Sequence, residues 1–396
     1  MDNDSADQCF ALLLAASVGR SSGVCSGFSA DQLAGFTDWT GLIALALAHG
    51  MGGLLCEHLL ASAGNGVTED IADAARTHIG FLRSAHATGI AELHGLLTLL
   101  NNAGIVAVPF KGPVFAQQFY PDPALRRFTD LDILINAMDA EAAHTLLVAQ
   151  GYRSQHQDLR PRHLRAYWHY NGQDVLHAPD RLPVEPHWLF GQRTLATYLN
   201  MSGFLSRAVP IVLGEQTILA LSPEDSLIAT CFHGSKDEWQ SLRTVADIAA
   251  ILSCAPGLDW EDVRQRAAVG GIGRMVLIGL QLAANLLQAK LPVAVTRQLA
   301  SDCIATALAE QAAARLFVAD APIRSVFELS AFRWRMRERF PDRLRYAAAT
   351  LFTPRVRQFR TIDLPDPLCF LYPAVKIMQD YVALPIKQRL PRAVTS

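Results

Sequence analysis

The sequence predicts an α+β fold: a small mixed sheet with flanking helices, embedded between helical N- and C-terminal regions. Three observations lead there. Apolar residues recur at helical spacing through residues 8–100. The stretch 105–220 turns to short apolar runs richer in proline. From Ser222 onward the helical spacing returns. The divisions are 1–100, a core at 101–220, and 221–396. A chain of 396 residues can bury a large core spread over two or three such modules.

In the first region, residues 42–48, 53–61 and 79–100 carry the helical pattern. The apolar run 9–18 follows Asp2, Asp4 and Asp7 rather than basic residues. It is wrong for a signal peptide and too short for a membrane span, and no transmembrane helix is expected elsewhere. In the core, 105–110 reads as a short buried strand ending at Lys111-Gly112-Pro113. Pro113 suits the first turn of a helix reaching about Tyr120. In 130–135, Asp130 and Asp132 alternate with Leu131, Ile133 and Ile135, the period of a strand. A helix over 140–150 would be capped by Asp139 and closed by Gly151. Residues 182–188 form a short apolar segment holding Glu185. Residues 211–213 and 217–221 suit a hairpin around Gly214-Glu215-Gln216.

In the last region, Ser222-Pro223-Glu224-Asp225 gives a cap, a first-turn proline and acids matched to the helix dipole. His233, Lys236 and Asp237 fall three and four apart, on one face. Further helices are expected at 242–252, 261–269, 272–289, 293–316 and 322–337. Pro365, Pro367, Pro373, Pro385 and Pro391 break up the tail.

The chemistry gathers at a few of these places. Residues i and i+2 of a strand point to one side, so Asp130 and Asp132 would leave the same face. Two like charges so close repel unless a cation lies between them, and oxygen ligands suit a hard ion such as Mg²⁺. Gly112 permits close backbone approach, and a helix start attracts phosphate, with Lys111 adding charge there. Each piece alone also fits a plain role. The acids could be a solvated strand end, Lys111-Gly112 an ordinary strand-to-helix turn, and Glu185 an edge-strand surface residue.

The net charge of −2 makes no case for general nucleic-acid binding. The charge is uneven, however. Nine arginines lie between Arg333 and Arg360, and Lys387, Arg389 and Arg392 follow. These read as solvated helix faces, or as a patch for an acidic partner, a phosphorylated substrate or a membrane surface. Seven scattered cysteines without a Cys-x-x-Cys pair point to reduced thiols and a cytoplasmic protein.

Taken in order, a glycine turn, Asp-x-Asp on a strand and a later acid resemble the DNA polymerase β-like nucleotidyltransferase superfamily. More narrowly, the chain resembles an uncharacterised bacterial nucleotidyltransferase family. The matching residues are Lys111-Gly112, Arg126, Asp130/Asp132 and Glu185-Pro186-His187-Trp188. Tyr120-Pro121-Asp122-Pro123, Gly151-Tyr152, the block from Leu221 to Lys236, and Trp239, Leu242 and Asp247-Ile248-Ala249 match as well. The usual Gly-Ser turn of the superfamily is replaced here by Lys111-Gly112.

The resemblance implies transfer of a nucleoside monophosphate from a nucleoside triphosphate to a hydroxyl or phosphate of an unidentified acceptor, with Mg²⁺ or Mn²⁺. Asp130 and Asp132 would hold one ion and share a second with Glu185. Lys111 and Gly112 would steady phosphates, and Arg126, or Arg127 beside it, would counter developing charge. His233 and Lys236 would contact phosphate or acceptor across a cleft. His187 would orient Glu185, touch the acceptor or simply pack. Trp188, Trp239 and Asp247 would be structural, Asp247 pairing with Lys236 or Arg243. Two other functions fit the same residues: a different phosphate or glycosyl transfer on a peptide or small molecule, or non-catalytic nucleotide binding.

Overall fold

The computed structural model describes residues 3–17, 25–316 and 326–383. Helices dominate, arranged around one five-stranded mixed sheet and a separate two-stranded hairpin. The sheet strands are β1 (Val108–Pro109), β2 (Leu131–Leu134), β3 (Arg153–Ser154), β4 (Leu176–His177) and β5 (Val184–His187), in the order β1-β2-β5-β4-β3. β2 and β5 are parallel, and every other pair is antiparallel. A parallel pair needs a long crossover. The chain supplies it through the helices Ala140–Ala149 and Pro161–Asn171 and the strands β3 and β4. The hairpin β6 (Val209–Leu213) and β7 (Gln216–Ala220) turns where the sequence placed it.

Alternation along β2 sorts its side chains between two apolar cores. Leu131, Ile133 and Ile135 join Leu93 and Leu97 of the long helix Glu69–Asn102, with Leu147 and Trp168. Leu134 joins the other core, with Phe110, Phe115, Phe232 and Ile248. Asp132 has the parity of Leu134, so it faces the helices that follow Ser222.

Helices match the sequence pattern at Trp39–Ala48, Gly52–Ala61, Gly112–Phe119, Ala140–Ala149, Pro223–Lys236, Leu242–Cys254, Trp260–Gly270 and Gly273–Leu287. Ser222 caps as expected, its hydroxyl accepting from the Asp225 amide. Asp139 holds the cap position of its helix, but its side chain accepts no first-turn amide. The helix expected at 293–316 is two helices, Val293–Ser301 and Cys303–Leu316. The Asp302 carboxylate accepts from the amides of Ile304 and Ala305 and so starts a second helix.

The strand expected over 105–110 shrinks to β1, an edge strand whose Pro109 has no amide to donate. β3 and β4 were not foreseen, because two-residue strands carry no period, and the helix Pro161–Asn171 was not foreseen either. The helix expected at 322–337 is described as Val326–Arg335. Pro385, Pro391, Lys387, Arg389 and Arg392 lie outside the described residues. All seven cysteines are free. Among the described residues, no helix is long and apolar enough to cross a membrane.

Candidate active site

The parallel register of β2 and β5 sets Asp132 directly opposite Glu185 and Leu134 opposite His187. Glu185 and His187 are two apart on β5 and share its face. His187 donates from Nε2 to Asp132 Oδ1 at 2.8 Å and lies 3.5 Å from Glu185 Oε2. Lys111 Nζ donates to the same Asp132 oxygen at 3.2 Å. Gln173 donates to Glu185 Oε2 at 2.9 Å. Ligand atoms of Asp132, Glu185 and His187 all lie within 4.8 Å of one another. Asp132 Oδ2 and His187 Nδ1 are buried and have no hydrogen-bond partner. A buried carboxylate oxygen left without a donor, beside a second carboxylate, fits a hard divalent cation.

Burial alone would raise the Asp132 pKa. The Lys111 ammonium and the His187 imidazole outweigh it and hold the carboxyl well below its usual range. Burial alone would lower that of His187, but the neighbouring carboxylates outweigh it and raise the imidazole above its ordinary value. Asp130 precedes β2 and is half-buried, outside the three-residue ligand cluster. Burial and then the Asp132 charge raise its pKa, with Lys111 opposing. Gly112 opens the helix Gly112–Phe119 with φ +59°, and a Cβ there would meet the Asp130 carbonyl at 3.3 Å. Glycine thus allows the Lys111 turn to sit against the acid strand.

Arg126 is buried, and its guanidinium is committed to Asp247. Its Nε and Nη2 both donate to Asp247 at 2.7 Å, and Nη1 reaches the Gly112 carbonyl at 3.4 Å. Tyr120 donates its hydroxyl to Asp247 at 2.8 Å. The expectation that Asp247 pairs with Lys236 or Arg243 is therefore corrected. Arg126 is close enough to take both oxygens in bidentate fashion, a geometry a lysine ammonium does not offer. Arg127 is exposed, and its carbonyl accepts from Arg243 at 3.4 Å.

A family model described as an uncharacterised nucleotidyltransferase matches residues 36–288. The chain belongs to that family. No curated protein matches it. The nucleotidyltransferase's sheet, its three acids, Lys111 and the helices from Trp39–Ala48 to Gly273–Leu287 lie within the matched span, and the enzyme is a transferase.

Beside the acids, the nucleotidyltransferase has a cleft of about 270 Å³ between the Lys111 turn and the helices Pro223–Lys236 and Leu242–Cys254. Phe110, Lys111, His233, Asp237 and Arg243 are among its walls. His233 Nε2 lies 3.3 Å from Asp237, and Lys236 Nζ lies 3.8 Å from it. Burial, then the charges of Lys111 and Lys236, hold His233 well below its usual pKa. Burial likewise lowers Lys236. After Asp237 the chain runs through Glu238 to Trp239, which lines the cleft, and these two non-glycine residues have φ of +55° and +59°. Such backbone costs on the order of 1–3 kcal/mol per residue and persists only where neighbours impose it. Arg333 is one such neighbour, donating to the Lys236 carbonyl at 3.1 Å and lying 3.3 Å from Glu238. Trp239 is another constraint, its ring packed where a Cβ on Gly234 or Gly279 would clash.

Gln173, Arg243 and Arg333 were not singled out as site residues. Arg243 carried one available signal, since it lies four residues before Asp247 on one helix face. Gln173 and Arg333 arrive from unrelated segments and carried none. Asp174, a further buried acid on the segment before Glu185, is occupied elsewhere. It accepts from Ser154 at 2.7 Å and lies 2.8 Å from His144 Nδ1.

Proposed function

We propose that this nucleotidyltransferase moves a nucleoside monophosphate from a nucleoside triphosphate to a hydroxyl or phosphate of its acceptor, with Mg²⁺ as the resident ion. The observation that carries the reading is the buried, unpartnered Oδ2 of Asp132, on the residue paired in register with Glu185, while Oδ1 is held by Lys111 and His187. Asp132 and Glu185 would hold the cation, with Asp130 as a further oxygen ligand. Once bound, the cation would neutralise triphosphate oxygens and make an acceptor hydroxyl more acidic. In the transfer, the acceptor oxygen bonds to the α-phosphorus, a hydroxyl acceptor giving up its proton to solvent, while the bond to the pyrophosphate oxygen breaks and pyrophosphate leaves with that electron pair.

The chain's own groups divide the remaining work. Lys111 shifts from Asp132 toward the incoming phosphates, aided by the free amides at the start of the helix Gly112–Phe119. His187 fixes the carboxylate rotamer of Asp132 and so positions it. Gln173 does the same for Glu185. Arg126 is a positioning residue, holding the Gly112 turn against the helix Leu242–Cys254. Its phosphate role passes to Arg243, whose charge already tempers Asp130. His233 lines the opposite wall, with Lys236 three residues on, against the acceptor or the phosphate tail.

The test is incubation with each α-labelled nucleoside triphosphate, Mg²⁺ and host-cell extract, for wild type and Asp132→Asn. Labelled product that requires intact Asp132 supports the reading. Absence of label transfer from every triphosphate overturns it.

A further inference from the structure

The last helices carry an exposed surface that neither the sheet nor the cleft uses. In the helix Phe340–Phe352, Asp342 and Tyr346 are buried and face the protein. Phe340, Leu344 and Leu351 recur at i, i+4 and i+11, which is one side of a helix, and they are 62%, 52% and 43% exposed. The apolar stripe of this helix therefore points outward. Phe352, at the helix end, is 49% exposed. Lys376 donates to the carbonyls of Thr350 and Thr353, tying the helix Tyr372–Ile377 to that end. The segment joined there adds Phe370 at 69% and Met378 at 58%. A lone exposed leucine needs no explanation, but an outward apolar helix face does.

Charge says what covers it. Residues 326–396 carry thirteen Lys and Arg against six Asp and Glu, while residues 1–325 carry twenty-two against thirty-one. Arg335, Arg343 and Arg355 flank the stripe in sequence and make no ion pair among the described residues. A second copy meeting this face would set two cationic lobes against each other, because a two-fold contact pairs a patch with itself. A nucleic acid would match the charge and leave the phenylalanines and leucines in water. An anionic bilayer meets both needs, with negative headgroups for the arginines and an acyl boundary for the stripe.

We propose that the helix Phe340–Phe352 and the residues joined to its end dock this enzyme peripherally on an anionic lipid surface. The docking places no helix across the bilayer, in keeping with the lack of a spanning helix among the described residues.

The experiment uses the full chain with vesicles of phosphatidylcholine alone and vesicles containing phosphatidylglycerol. Co-sedimentation with the anionic vesicles only, weakened by salt, is expected. Phe340→Ser and Leu344→Ser, at exposed positions, should each weaken that binding by about tenfold while keeping the helical circular-dichroism signal. Wild type that ignores both vesicles, or binds both equally, overturns the proposal. So does sedimentation velocity that shows a dimer without lipid, lost in Phe340→Ser. A duplex-DNA complex with no vesicle binding also overturns it. None of these readouts depends on nucleotide chemistry, so the proposal stands or falls apart from the transfer reaction.

Discussion

Asp132 and Glu185 face each other across the one parallel strand pair of the sheet, and His187 bridges them from Nε2. Because a strand alternates, a slip of one residue in that register would send Asp132 to the opposite face and into the apolar core of Leu131 and Ile133. The site therefore depends on the packing that fixes β2 against β5.

Removing one charge from the ligand pair should be felt first in cation and nucleotide binding. Asp132→Asn should weaken Mg²⁺-dependent binding of a nonhydrolysable nucleoside triphosphate by about 1–3 kcal/mol and lower turnover further. Glu185→Gln should lose transfer while keeping most of that affinity. Calorimetric titration beside a product assay decides this, and equal binding by wild type and Asp132→Asn would refute the cation assignment.

Lys111 holds Asp132 in the absence of phosphate, so its removal has two effects. Lys111→Ala should weaken triphosphate affinity by about 1–3 kcal/mol. It should also change how tightly Mg²⁺ binds alone, because the carboxylate loses a competing cation. Unchanged triphosphate affinity with reduced turnover would shift Lys111 to the transition state.

Arg126 and Asp247 form a buried pair, and breaking such a pair leaves an uncompensated charge. Arg126→Ala should cost about 3–5 kcal/mol in urea unfolding, and the double replacement Arg126→Met with Asp247→Leu should cost less. A single mutant as stable as wild type would show that the pair does not brace the fold.

Arg333 reaches the Lys236–Glu238 segment beside the cleft from outside the family-matched span. Arg333→Ala should speed amide exchange in residues 236–241 and raise KM for the nucleotide, while leaving exchange in β2 and β5 unchanged. Arg333→Lys should restore part of the protection. Unchanged exchange at 236–241 would remove Arg333 from the positioning set.

Lys376 supplies a pH signature. Burial, then the Arg355 charge, lowers it from 10.5 to about 8 in the folded chain. Between those values the unfolded chain binds more protons, so stability gains as pH rises through that window. The gain should be visible as the difference between wild type and Lys376→Met in denaturant melts across that range. Parallel curves for the two proteins would contradict it.

The longer helices and the acid strand were legible because each carries a repeated period and a terminating residue, as at Ser222 and Gly151. The nearness of Asp130, Asp132 and Lys111 was also legible, since a strand and a turn fix local neighbours. What lay beyond reach was set by tertiary contact. The choice of Asp247 over a phosphate for Arg126 depends on a helix more than a hundred residues away. β3 and β4 are strands only because β5 and its neighbours pair with them. Asp302 divides a helical run with a single carboxylate, a local effect that the apolar spacing around it conceals.

The tie between Arg126 and Asp247 bears on how this enzyme can be taken apart. One partner sits beside the acids and the other on a helix beyond residue 220, with Tyr120 and the Gly112 carbonyl joined to the same knot. A fragment cut between them inherits a charge built for a dry interior and exposes it to water. A chimera that exchanges residues 101–220 alone brings a guanidinium to a host with no matching carboxylate. The minimal transplantable unit therefore runs at least from the Lys111 turn through the helix Leu242–Cys254, and substitutions at 126 and 247 should be tolerated in pairs rather than singly.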